Sequence, residues 1–110
     1  MIYVRRLLMN IGIDIVDCER VVGLISNKIF SQNELDYIHK KNNNLSTVAG
    51  LFAAKEAYFK AKGTGIVKSK LPEIEVGHHE SGQPYFVNDA KVVLSISHTE
   101  TTAVAVCMIF

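Results

Sequence analysis

The stretch FAAKEAYFKAKGTG, residues 52–65, decides how this chain is read. Its apolar spacing and alanines predict a helix from about Val48 to Lys62, stopping at Gly63, where a glycine can take the left-handed conformation that ends helices. Helix positions three and four apart share a face. Glu56 therefore lies against Phe52 and Ala53 one turn before it and Phe59 and Lys60 one turn after. Its bland reading is a helix-surface ion pair with Lys60, worth about 0.2–0.5 kcal/mol. The sharper reading starts from the two phenylalanines and the alanine: a partly desolvated carboxylate needs a strong partner, and a metal ion is one.

Upstream, IGIDIVD (residues 11–17) sets Ile11, Ile13 and Ile15 in strict alternation with Gly12, Asp14 and Val16, the period of a strand, and puts Asp14 on the face opposite the isoleucines. Alone, Asp14 reads as a strand-end or capping residue. Should it converge with Glu56, the two carboxylates on rigid elements would suit Mg²⁺, a hard ion that takes few protein oxygens and keeps water and phosphate for the rest. From Asp17, an N-cap residue type, CERVVGLISNKIF (18–30) is expected to be helical despite Gly23. A short helix is expected over SQNELDYIHKK, where Ser31 and Glu34 have the spacing of a capping box. NNNLST reads as a loop, with Ser46 or Thr47 capping the long helix.

Downstream, IEV and PYFV flank the turn-rich GHHESGQ and read as a hairpin; His78 and His79 in that turn receive no role, and Lys40 and Lys41 read as solvated. KVVLSISH puts His98 in phase with Val92, Leu94 and Ile96 at a strand end, where a histidine is structural or binds phosphate or moves a proton. GTG after the long helix serves as helix punctuation or lets a phosphate approach the backbone. The final AVAVCMIF has small Ala103, Ala105 and Cys107 on one side and large Val104, Val106, Met108 and Phe110 on the other. A strand apolar on both faces in so small a chain points to a partner subunit.

With 110 residues, 48% hydrophobic and 21% charged, the composition is that of one globular domain spanning 1–110. A net charge of +1 argues against a nucleic-acid binder working through massed phosphate contacts. Two cysteines without metal-finger spacing, Cys18 and Cys107, are expected as free buried thiols in the cytoplasm. No stretch reaches the length of a membrane span, and MIYVRRLLMN lacks the apolar run of a cleaved signal.

Taken in order, GIDIVDCER (12–20), FAAKEAYFKAKGTG and SISHTETTAVAV (95–106) resemble the holo-acyl-carrier-protein synthase family of phosphopantetheinyl transferases. The resemblance implies an α+β fold, a small antiparallel sheet packed against a long central helix, in a homotrimer with active sites in clefts between subunits. It implies transfer of 4′-phosphopantetheine from coenzyme A to a serine of apo acyl carrier protein in fatty acid biosynthesis, dependent on Mg²⁺ and releasing adenosine 3′,5′-bisphosphate. Asp14 and Glu56 would hold the metal; Lys60, Gly63, Thr64, Gly65, Pro84 and His98 would contact coenzyme A; Glu56, Lys60 and His98 would serve catalysis; Arg20 would dock the acidic carrier protein. Two features depart from the family pattern. Residues 1–9 form an N-terminal extension, with Met9 an alternative start, and the segment around KKNNNLST is shorter, so no basic loop residues are carried over to the adenylate end.

Overall fold

The computed structural model describes residues 10–110; the expectations for residues 1–9 lie outside them. The chain runs through strand β1 (Ile11–Asp17), helices α1 (Gln32–Lys40) and α2 (Leu45–Lys62), strands β2 (Val76–His78) and β3 (Pro84–Phe86), and strands β4 (Val92–His98) and β5 (Thr102–Ile109). Two short 3-10 segments, Cys18–Val21 and Lys68–Glu73, join them. Strands β1, β5 and β4 form one antiparallel sheet with β5 in the middle, and β2 and β3 form a separate hairpin.

Helix α2 crosses the inner face of the sheet, and small residues decide how closely. Ala53, Ala54, Ala57 and Ala61 on the helix and Gly12, Ala103, Ala105 and Cys107 on the strands are all buried. A methyl group placed on Gly12 would lie 2.2 Å from the Ala57 carbonyl oxygen and 2.5 Å from the Ala61 nitrogen. Only glycine permits that approach, because the obstacle is helix backbone and cannot rotate away. Phe30, Ile38, Val48 and Leu51 extend the same core, each stabilising it by about 1.5–3 kcal/mol through burial. Both cysteines are buried and free, and burial pushes the Cys107 thiol up to about 12, which leaves it inert.

Among the described residues, nothing covers the opposite face of the sheet. Ile11, Ile13 and Ile15 are 60%, 60% and 64% exposed, and register sets them beside Met108, Val106 and Val104 of β5. The two-sided apolarity of β5 thus resolves into one face against α2 and one that continues this patch.

Three local expectations are corrected. Residues 18–30 do not form an α-helix: only Cys18–Val21 winds into a short 3-10 segment, and Asp17 makes no side-chain cap. The Cys18 N–H is taken instead by Thr101 of the β4–β5 turn (2.8 Å), and the N–H groups of Ile29 and Phe30 both donate to the Ser26 carbonyl. That turn drops Phe30 into the core, and tertiary burial outweighs a weak helical preference. Helix α2 starts at Leu45 rather than Val48. Asn44 caps it, its Oδ1 accepting from the Ser46 N–H (2.9 Å), so neither Ser46 nor Thr47 does. The asparagine run serves the turn, since Asn42 and Asn43 hold positive φ (59° and 55°), a conformation asparagine tolerates. The expected capping box is present, with the Ser31 hydroxyl accepting from the Glu34 N–H and Glu34 from the Ser31 N–H, and Gly63 ends α2 at φ 73°.

Glu34 does more than cap. With 0% exposure, its Oε1 accepts from Lys55 Nζ (2.7 Å), and Lys55, also at 0%, gives its other protons to the carbonyls of Leu71 and Ile74 (2.8 Å each). Glu34 Oε2 accepts from the Val76 N–H (2.9 Å). One ion pair thus ties α1, α2, the 68–73 segment and the hairpin together. Removing one partner leaves a buried charge alone and costs about 3–5 kcal/mol, whereas replacing both with apolar groups is often neutral. Lys55→Met should therefore unfold at far lower denaturant than wild type, and Lys55→Met/Glu34→Leu should recover most of the loss; urea unfolding of the single and double variants checks this.

Candidate active site

Where β1 touches α2, two acidic side chains converge. The step from Gly12 to Asp14 along the inner face keeps Asp14 against the helix, where its Oδ1 accepts from Lys60 Nζ (2.9 Å), which also donates to the Ile13 carbonyl (3.0 Å). Lys60 is thus paired with Asp14, not with Glu56 as a simple helix-surface pair would require. Glu56 lies near enough to feel Asp14, Arg20 and Lys60. Burial foremost, and then repulsion from Asp14, raises its pKa above the usual carboxylate range; the positive charges of Arg20 and Lys60 oppose the rise.

Two oxygens in this cluster are buried without a hydrogen-bond partner: Asp14 Oδ2 and Glu56 Oε1. Buried polar atoms in native proteins are nearly always satisfied, so an orphaned pair of carboxylate oxygens is a donor set that could hold a cation. Among the described residues no group of three or more histidine, cysteine, aspartate or glutamate side chains gathers, which disfavours zinc. Two hard oxygens fit Mg²⁺, which keeps several waters or phosphate oxygens.

The other expected residues fall around this cluster or apart from it. Gly63 and Gly65 hold left-handed backbone (φ 73° and 67°) in an exposed loop one turn beyond Lys60, a conformation that favours glycine. Arg20 is exposed on the first 3-10 turn. Pro84 and His98 lie elsewhere, lining a cavity of about 170 Å³ to which Asp14, Glu56 and Lys60 do not contribute. One chain thus presents the expected residues in two separate places.

Comparison with known proteins shows which family this fold belongs to. The family model of the 4′-phosphopantetheinyl transferase superfamily matches residues 10–107. A holo-(acyl-carrier-protein) synthase of Caldicellulosiruptor saccharolyticus is 42% identical, over 90% of this chain and 94% of the relative. That of Fusobacterium nucleatum is 36% identical, over 94% and 99%. This chain belongs to the holo-(acyl-carrier-protein) synthase family. Among solved structures of the synthase, that of Bacillus anthracis in complex with coenzyme A (3′,5′-ADP) superposes with a TM-score of 0.82 at 36% identity, covering 93% of this chain and 96% of that one. The Helicobacter pylori synthase in complex with coenzyme A gives 0.73 at 28% identity, covering 91% and 99%. The α+β expectation holds, and the chain is a phosphopantetheinyl transferase of the synthase class.

Sequence reasoning about this synthase missed the Lys55–Glu34 pair and the place of His78. Lys55 stands in AAKEA beside Glu56 and looks like any helix-surface lysine; nothing in its spacing signals a partner on α1. His78 was assigned no role, yet it lines the cavity of Pro84 and His98.

The raised pKa of Glu56 has a consequence for stability. A carboxyl group whose folded pKa exceeds its unfolded value makes folding less favourable once pH rises past both, because the unfolded chain releases the proton more readily. Glu56→Gln removes that penalty. In metal-free buffer at pH 7 the variant should melt a few degrees above wild type, each kcal/mol recovered being worth roughly 4–8 °C, and the difference should vanish toward pH 4. Thermal unfolding with EDTA at the two pH values checks this.

Proposed function

We propose that the chain transfers 4′-phosphopantetheine from coenzyme A to a serine hydroxyl of an apo acyl carrier protein, releasing adenosine 3′,5′-bisphosphate, with Mg²⁺ held between Asp14 and Glu56. The observation that carries this reading is the pair of buried, unpartnered oxygens Asp14 Oδ2 and Glu56 Oε1. Membership in the synthase family and the coenzyme-bound relatives supply the substrate.

Mg²⁺, when bound, would supply charge neutralisation at the pyrophosphate that is attacked. The chain's own groups do the rest, mainly by positioning, as in other phosphoryl transfers. Lys60, already held at Asp14, offsets charge on the leaving oxygen. The left-handed glycines of the GTG loop expose backbone to the phosphates, with Thr64 between them. Glu56, the carboxylate whose proton affinity burial raises, is suited to take the serine proton. Arg20, exposed beside the cluster, meets the acidic carrier protein.

The reading includes a homotrimer of single-domain subunits, in which the carboxylate cluster of one subunit faces the Pro84–His98 cavity of its neighbour. The separation of the two half-sites and the uncovered isoleucine face of the sheet support it. A role in fatty acid biosynthesis in the cytoplasm accords with the two free buried thiols, and among the described residues no helix is long and apolar enough to cross a membrane.

Mass spectrometry of an apo carrier protein incubated with coenzyme A and Mg²⁺ tests the reading. One phosphopantetheine should be added per carrier, and EDTA should abolish the gain. Glu56→Gln should lower the rate by at least about a hundredfold, since a neutral amide is a poor ligand for a hard cation. An undiminished gain in EDTA, or near-normal transfer by the variant at limiting Mg²⁺, would refute the metal assignment.

A further inference from the structure

The cavity holding Pro84 and His98 contains a feature that the transfer reaction has not absorbed. Its volume of about 170 Å³ is roughly that of five or six water molecules, room for a phosphate and part of the sugar bearing it. Its polar walls are the hydroxyl residues Tyr37 of α1 and Ser46 and Thr47 of α2, with the imidazoles of His78 and His98. Among the described residues, no lysine, arginine or carboxylate lines it. The His78 ring lies flat against Tyr37, with centroids 4.0 Å apart and planes 5° from parallel, so it is half-buried and held in one orientation.

We propose that His78, braced by Tyr37, is a second phosphate-reading residue of this cavity beside His98, and that these two imidazoles, rather than a lysine or arginine of the cavity wall, recognise the phosphorylated ribose of the coenzyme. This inference rests on the coenzyme A reading above and adds the residue that discriminates. An imidazole donates to a phosphate oxygen in either charge state, but only its protonated form makes the charge-assisted bond.

The charges facing His78 are few. From α1 come Tyr37 and, just past the helix end, Lys41, whose ammonium lies 5.5 Å from the Tyr37 ring centre. Lys40, Glu75, His79 and Glu80 line the neighbouring groove, which shares Tyr37, His78 and Gly82 with the cavity. Helix α2 lines the cavity with Ser46, Thr47, Gly50 and Leu51, none of them charged, and β4 contributes Ile96 and His98. Burial, and then Lys41, depress the pKa of His78, so its setting favours the neutral ring. An arriving phosphate dianion raises the imidazole pKa again. Affinity for the phosphorylated ribose therefore climbs as pH falls.

The test compares coenzyme A with 3′-dephospho-coenzyme A in the carrier-modification assay at about pH 6.5 and 8.5, for wild type, His78→Asn and His78→Lys. The preference for coenzyme A, as a ratio of KM values, should be larger at the lower pH in wild type by up to about tenfold, the low end for one charge-assisted hydrogen bond. In His78→Asn the dependence should shrink to the part that His98 carries. In His78→Lys the preference should be high at both pH values, because a fixed cation replaces the titrating one. Titration of the phosphate itself is common to all three proteins and cancels in the comparison. Equal pH dependence in wild type and His78→Asn would overturn the role of His78 while leaving the coenzyme reading intact. No transfer by wild type from either coenzyme would overturn both.

Discussion

The structure depends on one contact, the approach of β1 to α2 at Gly12. A strand and a helix meet there without a side chain between them, because even a methyl group would strike the helix backbone. That closeness sets Asp14, the next inward residue, against the turn of α2 that carries Glu56 and Lys60. Alanines on the helix and alanines and a cysteine on β5 continue the flat seam, so the spacing is a property of the whole interface.

The cost of this arrangement is electrostatic. Two carboxylates share a partly dehydrated corner, and Lys60 and Arg20 relieve them only in part, leaving Glu56 with a raised proton affinity and each acid with a buried oxygen that has no partner. Proteins accept unsatisfied buried groups where function requires them. The stiffness that holds the acids together comes from elsewhere: the buried Lys55–Glu34 pair, on the helix turn of Glu56, locks α2 to α1 and to the segment leading into the hairpin. Packing and the ion pair stabilise; the acidic corner spends part of that stability.

Much of this was legible in the amino-acid order. The alternation of residues 11–17 located β1 and the inward face of Asp14, the Ser31–Glu34 spacing located α1, and Gly63 located the end of α2, because each is a local rule acting on neighbouring residues. Residues 18–30 failed for the opposite reason: their fate was settled by a hydrogen bond to Thr101 and by burial of Phe30, neither of which is local. The acids were identifiable, but their convergence was not, since it depends on what a missing side chain at Gly12 allows. Lys60 was expected beside Glu56 and is found on Asp14, because the strand brings a competing acceptor that helix spacing cannot reveal. His78 carried no signal; a three-dimensional stack on Tyr37 gives it a place.

The central claim is that Asp14 and Glu56 share one divalent cation. Mn²⁺ standing in for Mg²⁺ tests it most directly, through the loss of the free-ion electron paramagnetic resonance signal on titration into the protein with coenzyme A present. One ion should bind per chain in wild type, and Asp14→Asn and Glu56→Gln should each weaken binding by at least about tenfold. Unchanged Mn²⁺ affinity in both variants would contradict the account.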